Sequence, residues 1–282
     1  MRSIRKHGED ISFPEINVPP AELESYLIFI YGEKGIGKTS FAAKFDNPVN
    51  FQWEPGRRNL RIRQIPNYSK NEPPLTWPRF CSYLELILPR PDVSTIVIDT
   101  VDRCYDAALS DVCFNMGIGD PNEIKDYGAT WRKIKRLFED ALIEIIKSGK
   151  TLVLISHSVI REIPSKFKID EDGKAMVKAE EMVVPSCSTA AWLTIKAFAD
   201  IAVYMGWRRS ERVIYVRGSE SIWSACGIED KFNGINEIPM GSSAEEGYRN
   251  FVSAFHGERV WEGGSKRTEF KKVPSKHSMK GI

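Results

Sequence analysis

The stretch Tyr26-Leu-Ile-Phe-Ile-Tyr-Gly32-Glu-Lys-Gly-Ile-Gly37-Lys38-Thr39-Ser40 decides how the chain folds. Leu27 to Ile30 form a short apolar run that reads as a buried strand. Phe41, Ala42 and Phe45 follow the loop at helical spacing. Strand, G-x-x-x-x-G-K-T loop and helix, in that order, make a phosphate-binding P-loop. Glycines let the backbone curl into a nest whose N–H groups converge on phosphate oxygens, and the positive end of the new helix adds to the attraction. Gly32, Glu33, Lys34, Gly35, Ile36, Gly37, Lys38, Thr39 and Ser40 form the predicted nucleotide cradle. Lys38 is placed to reach the β and γ phosphates, and the Thr39 hydroxyl to ligate Mg²⁺.

The 282 residues suit one large domain or a core with a small appendage, and a hydrophobic content of 42% supplies a substantial interior. A formal charge of +2 is close to neutral, so composition alone does not mark a nucleic-acid binder. Cys81, Cys104, Cys113, Cys187 and Cys226 lie far apart with no C-x-x-C pair. That spacing argues against a zinc site and a disulfide framework, and fits free thiols in a reducing cytoplasm. The sequence shows neither a signal peptide nor an apolar run of membrane-spanning length, so the expectation is an intracellular protein with no membrane contact.

Three further strand ends carry candidate chemistry. Val49-Asn-Phe-Gln-Trp53 alternates apolar with polar and ends at Glu54, just before a Pro55-Gly56 turn. Function gathers at the carboxyl ends of parallel strands. The Glu54 carboxylate is therefore a candidate to polarise a water attacking the γ-phosphate, with a solvated turn residue as the other reading. This strand is expected beside the P-loop strand. Ser94-Thr-Ile-Val-Ile-Asp99-Thr100 is a buried run ending in aspartate, the Walker B pattern, in which Asp99 holds Mg²⁺ through water from the neighbouring strand. Thr151-Leu-Val-Leu-Ile-Ser156-His157 is another core strand with polar residues at its tip. Ser156 or His157 is placed there to sense the γ-phosphate, or to be a hydrogen-bonded strand end and no more.

Helices are predicted over Trp77 to Leu88, Asp102 to Met116, Trp131 to Lys147, Ala190 to Ala199 and Ser243 to His256. Tyr127 and Trp131, between the second and third of these, read as packing residues. Ser165 to Asp170 and Ala175 to Ala179 flank Glu171-Asp-Gly173-Lys174, a hairpin signal. Lys166 and Lys168 project from one face of it and Lys178 joins them, a candidate DNA contact, although nearby acids also suit a solvated, charge-balanced hairpin. Asp200 to Met205 and Arg212 to Arg217 pair as a second hairpin, and Arg208, Arg209 and Arg217 are candidates to reach a neighbouring subunit's phosphates. Residues 258–282 are polar and basic, composed as a disordered tail able to touch nucleic acid or acidic partners.

The combination resembles the phage-type RecA-like ATPases, a P-loop family that includes single-strand annealing recombinases. The resemblance is carried by Gly32 to Thr39, Glu54, Ile98-Asp99-Thr100, Leu154-Ile-Ser-His157, and Asp126-Tyr127-Gly128 with Trp131. It implies a catalytic glutamate at Glu54 and a polar sensor at His157, where that class usually has glutamine. It also implies that the hairpin after the sensor strand is a DNA-binding loop.

These readings give an α/β fold, a mostly parallel sheet with helices on both faces and an antiparallel C-terminal edge. Residues 1–24 form an arm, 25–257 the ATPase core with a hairpin insertion at 158–188, and 258–282 the tail. The expected activity is hydrolysis of ATP with Mg²⁺ by a homo-oligomer that binds and anneals single-stranded DNA. The alternative is an ATP-dependent switch or loader for a single-strand-binding, replication or repair protein. A small-molecule kinase is disfavoured by the lack of an arginine-rich lid, and a GTPase by the lack of an N-K-x-D stretch.

Overall fold

The computed structural model describes residues 16, 18–55, 60–70, 72–164, 168–169, 175–176 and 179–258. Lys166, Lys178, the start of the arm and the tail after residue 258 lie outside the described residues, and Lys168 enters only as a backbone position.

Strand β1 (Leu27–Gly32) is buried along its whole length, as its unbroken apolar run requires of a central parallel strand. The P-loop follows, then a short helix α1 (Lys38–Ala42), β2 (Pro48–Gln52), β3 (Arg63–Ile65) and α2 (Trp77–Ile87). Next come β4 (Thr95–Asp99), α3 (Val101–Met116), α4 (Ala129–Lys147) and β5 (Thr151–Pro164). Two small strands, β6 (Lys168–Ile169) and β7 (Ala175–Met176), pair with each other ahead of β8 (Ala179–Pro185). The chain closes with α5 (Thr189–Phe198), β9 (Ile201–Arg208), β10 (Glu211–Tyr215), β11 (Ala225–Cys226), β12 (Glu237–Pro239) and α6 (Ala244–Phe255).

The main sheet runs β12-β10-β9-β1-β5-β4-β2-β3, with β9 through β3 parallel and β10 and β12 forming the antiparallel edge. Two apolar clusters cover its faces. One joins the sheet to α2, α3, α4 and α5 through Phe80, Tyr105, Phe138 and Ile195. The other joins it to α1 and α6, where Phe41 and Phe45 meet Tyr248 and Phe251 edge to face. The α/β architecture with helices on both faces is thus the observed one. α1 is too short to stand alone, so packing against α6 holds it. Ser243 caps α6 by accepting from the Glu246 N–H at 3.1 Å.

The sheet corrects two expectations. β2 does not lie beside β1; β5 and β4 stand between them. β4 is likewise one strand removed from the P-loop strand, because β5 separates them. The hairpin insertion expected over 158–188 is a ribbon built on β5 and β8. β5 runs straight past His157, and its outer half pairs antiparallel with β8 from Ser158↔Pro185 to Pro164↔Ala179.

Gly32 sits where β9 passes closest to the P-loop strand. A Cβ there would stand 2.2 Å from the Met205 carbonyl oxygen, a backbone atom that cannot swing away. Gly32→Ala should therefore lower stability by at least about 1–3 kcal/mol and displace the first P-loop residue. Urea unfolding with and without nucleotide checks it, and an unchanged midpoint would refute the close approach.

Candidate active site

Strand register decides which side chains meet. Gly32 pairs with His157, Asp99 with Ile155, and Gln52 with Asp99, so the candidate residues leave the sheet together at its carboxyl edge. The Trp53 N–H donates to the Asp99 carbonyl at 2.8 Å and fixes the turn that carries Glu54. The peptide between Asp99 and Thr100 is cis.

In the cradle, Gly37 has φ +114°, a left-handed conformation that side chains resist. Lys38 is only 4% exposed, and its ammonium donates to the carbonyls of Gly32 at 2.8 Å and Glu33 at 2.9 Å, bridging the loop it closes. Thr39 Oγ1 donates to Asp99 Oδ2 at 2.6 Å in a buried contact that spans from α1 to the end of β4.

Glu54 is held by both its carboxylate oxygens. Thr100 Oγ1 donates to Oε1 at 3.3 Å, and His157 Nε2 lies 3.3 Å from Oε2. The Glu54 side chain is 37% exposed and that of His157 30%, so the pair stays open to water. Such an arrangement orients a carboxylate at a water-exposed edge. Behind His157 lies a second polar layer. Ser186 Oγ donates to Asp102 Oδ1, Ser156 Oγ stands 3.4 Å from Ser186 Oγ, and the Ser186 N–H donates to the His157 carbonyl at 2.9 Å. Arg161 donates to the Cys187 carbonyl at 2.9 Å, and burial pushes the Cys187 thiol up to about 12.

Beside Ser40 a cleft of about 310 Å³ opens between α1, residues Leu60 to Ile62 and the start of α6. Lys44 and Glu245 form a 2.9 Å ion pair at its wall. On the other side of the loop, a Cβ at Gly37 would stand 3.4 Å from the Arg212 guanidinium, which donates to the Gly241 carbonyl at 3.2 Å.

The structure therefore brings together Gly32 to Ser40, Glu54, Asp99 and His157. Arg208 is engaged by Glu211 and Glu237, Arg209 is exposed at the β9–β10 turn, and Arg217 follows β10 toward the opposite end of the sheet. Sequence reasoning missed Thr100, Ser186 and Arg212. Thr100 was within reach, since it follows Asp99, but Ser186 and Arg212 arrive from distant segments with no motif of their own. Tyr127 was expected to pack, yet it is 98% exposed.

Residues 24–224 match the AAA domain family. The chain belongs to that family. It is also similar to an SPbeta prophage-derived uncharacterized protein, YorG, of Bacillus subtilis strain 168, at 22% identity over 180 residues, or 62% of this chain. The chain spans about half the length of that relative, 51%. Among solved structures it is similar to a KaiC-like protein of Pyrococcus horikoshii, at 14% identity, with 79% of this chain and 88% of that one covered and a TM-score of 0.44.

Removing one hydroxyl should expose the tension in the polar layer. Asp102 Oδ2 is buried with no hydrogen-bond partner among the described residues, so Ser186→Ala would leave its carboxylate without the Oδ1 bond as well. We expect a loss of about 1–3 kcal/mol in urea unfolding, with Ser186→Thr recovering most of it. Equal stability of Ser186→Ala and wild type would count against the bond.

Proposed function

We propose that this AAA-domain protein hydrolyses ATP with Mg²⁺ and acts in phage-type DNA recombination or repair, binding and annealing single-stranded DNA as an assembly of copies. The observation that carries the hydrolytic part is the Glu54 carboxylate, held by Thr100 and His157 at the edge where the P-loop and Asp99 also emerge. The P-loop N–H groups and Lys38 bind the phosphates, and Glu54 orients the attacking water and takes its proton. His157 and Thr100 keep Glu54 in place. The nucleoside passes Ser40 into the cleft toward Arg61 and Ala244.

A buried hydroxyl and carboxylate 2.6 Å apart suit a small hard cation that takes oxygen ligands, so Thr39 and Asp99 fit Mg²⁺. When bound, that ion neutralises charge on the β and γ phosphate oxygens. Among the described residues no group of three or more His, Cys, Asp or Glu forms another cation site. No helix of the described residues is long and apolar enough to cross a membrane. The prophage origin in the printed name of one relative supports the phage setting, and the exposed Arg209 supports contact between copies.

A second reading, an ATP-driven switch for a replication or repair protein, draws on the ribbon. Glu162 and Glu181 face each other directly across β5 and β8, an arrangement that repels phosphate and welcomes a basic surface. ATPase rate with and without single-stranded DNA separates the two: strong stimulation supports the first, indifference the second.

Glu54→Gln keeps shape and removes charge and basicity. It should bind ATP·Mg²⁺ with near-normal affinity and turn over at least about a hundred-fold more slowly. Lys38→Ala should lose both binding strength and turnover, and Asp99→Asn most Mg²⁺-dependent activity. Near-normal hydrolysis by Glu54→Gln, measured as phosphate release, would return Glu54 to a solvated turn residue.

A further inference from the structure

The turn between α3 and α4 presents rings to water that a folded chain ordinarily hides. Phe114 is 84% exposed and Tyr127 98%, and Trp131 on the first turn of α4 is 36% exposed. Contacts tie the turn to both helices: the Thr130 hydroxyl lies 3.7 Å from Met116 Sδ, Trp131 Nε1 donates to Asn122 Oδ1 at 3.2 Å, and Arg132 donates to the Tyr127 carbonyl at 2.9 Å, while Phe114 stands on the last turn of α3, two residues before Met116. Exposed rings on both helices and the connection between them offer apolar surface to a partner.

Charge at this tip is sorted. Its carboxylates are spent on the backbone. Asp126 accepts from the N–H groups of Ala129 at 3.0 Å and Thr130 at 2.7 Å, and the Thr130 hydroxyl holds its carboxyl below the usual range. Glu123 accepts from the N–H groups of Gly119 and Asp120. Lys125, Lys133 and Arg136 are exposed and form no ion pair among the described residues. Arg132 and Arg136 stand one turn apart on α4, a like-charge spacing that costs stability until an anion arrives. Exposed rings interleaved with unpaired cations make a surface for stacked bases and a tracking phosphate backbone.

We propose that the α3–α4 tip is a single-stranded nucleic-acid platform, with Phe114, Tyr127 and Trp131 stacking bases and Arg132, Lys133 and Arg136 contacting phosphates. The inference rests on the reading of the protein as a single-strand binder and places that activity away from the acidic ribbon. Phe114 and Tyr127 are so exposed that removing their rings leaves the core intact.

The test is fluorescence anisotropy of a labelled oligothymidylate titrated with full-length protein in Mg²⁺ and a slowly hydrolysed ATP analogue. Phe114→Ala/Tyr127→Ala should weaken binding by about ten-fold or more at unchanged basal ATPase. Arg132→Gln/Lys133→Gln/Arg136→Gln should flatten the slope of log affinity against log salt by about two. Wild-type affinity and slope in both variants, with wild-type binding intact, would overturn this placement alone. Absence of wild-type binding would overturn it together with the DNA-binding reading. Variants that dissociate an assembly of copies while binding DNA normally would also overturn it, and show the tip to be a contact between copies.

Discussion

The hydrogen bond from Thr39 to Asp99 reaches from the P-loop helix to the end of β4, and its 2.6 Å length depends on three parallel strands keeping register. β1 pairs with β5 and β5 with β4, so Gly32 stays level with His157, and Asp99 two residues below them beside Ile155, only if neither pairing slips. A slip of a single residue would also turn every side chain to the opposite face. The apolar residues of β1 divide between the two clusters, Phe29 and Tyr31 to one and Ile28 and Ile30 to the other, so both helical layers resist such a slip. Packing on both faces is thus what aligns the polar edge.

That edge collects chemistry from segments far apart in the chain because β2 and β4 end at it while β5 passes through it. Glu54 follows β2, Thr100 follows β4 and His157 lies midway along β5, and Thr100 and His157 each hold Glu54 through a single contact. The second layer of Ser156, Ser186 and Asp102 then ties β5, β8 and the first turn of α3 together. Any shift of the ribbon base is therefore felt at His157 through the Ser186 N–H on its carbonyl.

Much of this was legible in the chain. The P-loop, the strands at Val49 and Thr95, and the helix over Ala129–Lys147 announce themselves through apolar runs, period and punctuation. Strand order was not, because two buried strands of similar composition carry nothing that says which neighbours which. That is why Glu54 was expected one strand from the P-loop when two stand between. Tyr127 misled for a different reason. Aromatic rings are usually buried, and only the positive φ of 54° in a turn capped by Asp126 turns this one outward.

The uninterrupted β5 has a mechanical consequence. Its seven residues after His157 span about 23 Å at the usual strand rise, and they are a direct continuation of the rod clamped between β1 and β4. A stiff rod held at one end converts a small angle into a large sweep. A tilt of about 10° at the clamp moves the far end by about 4 Å, roughly the spacing of one strand from the next. The molecule thus carries a pointer whose pivot is a histidine touching Glu54.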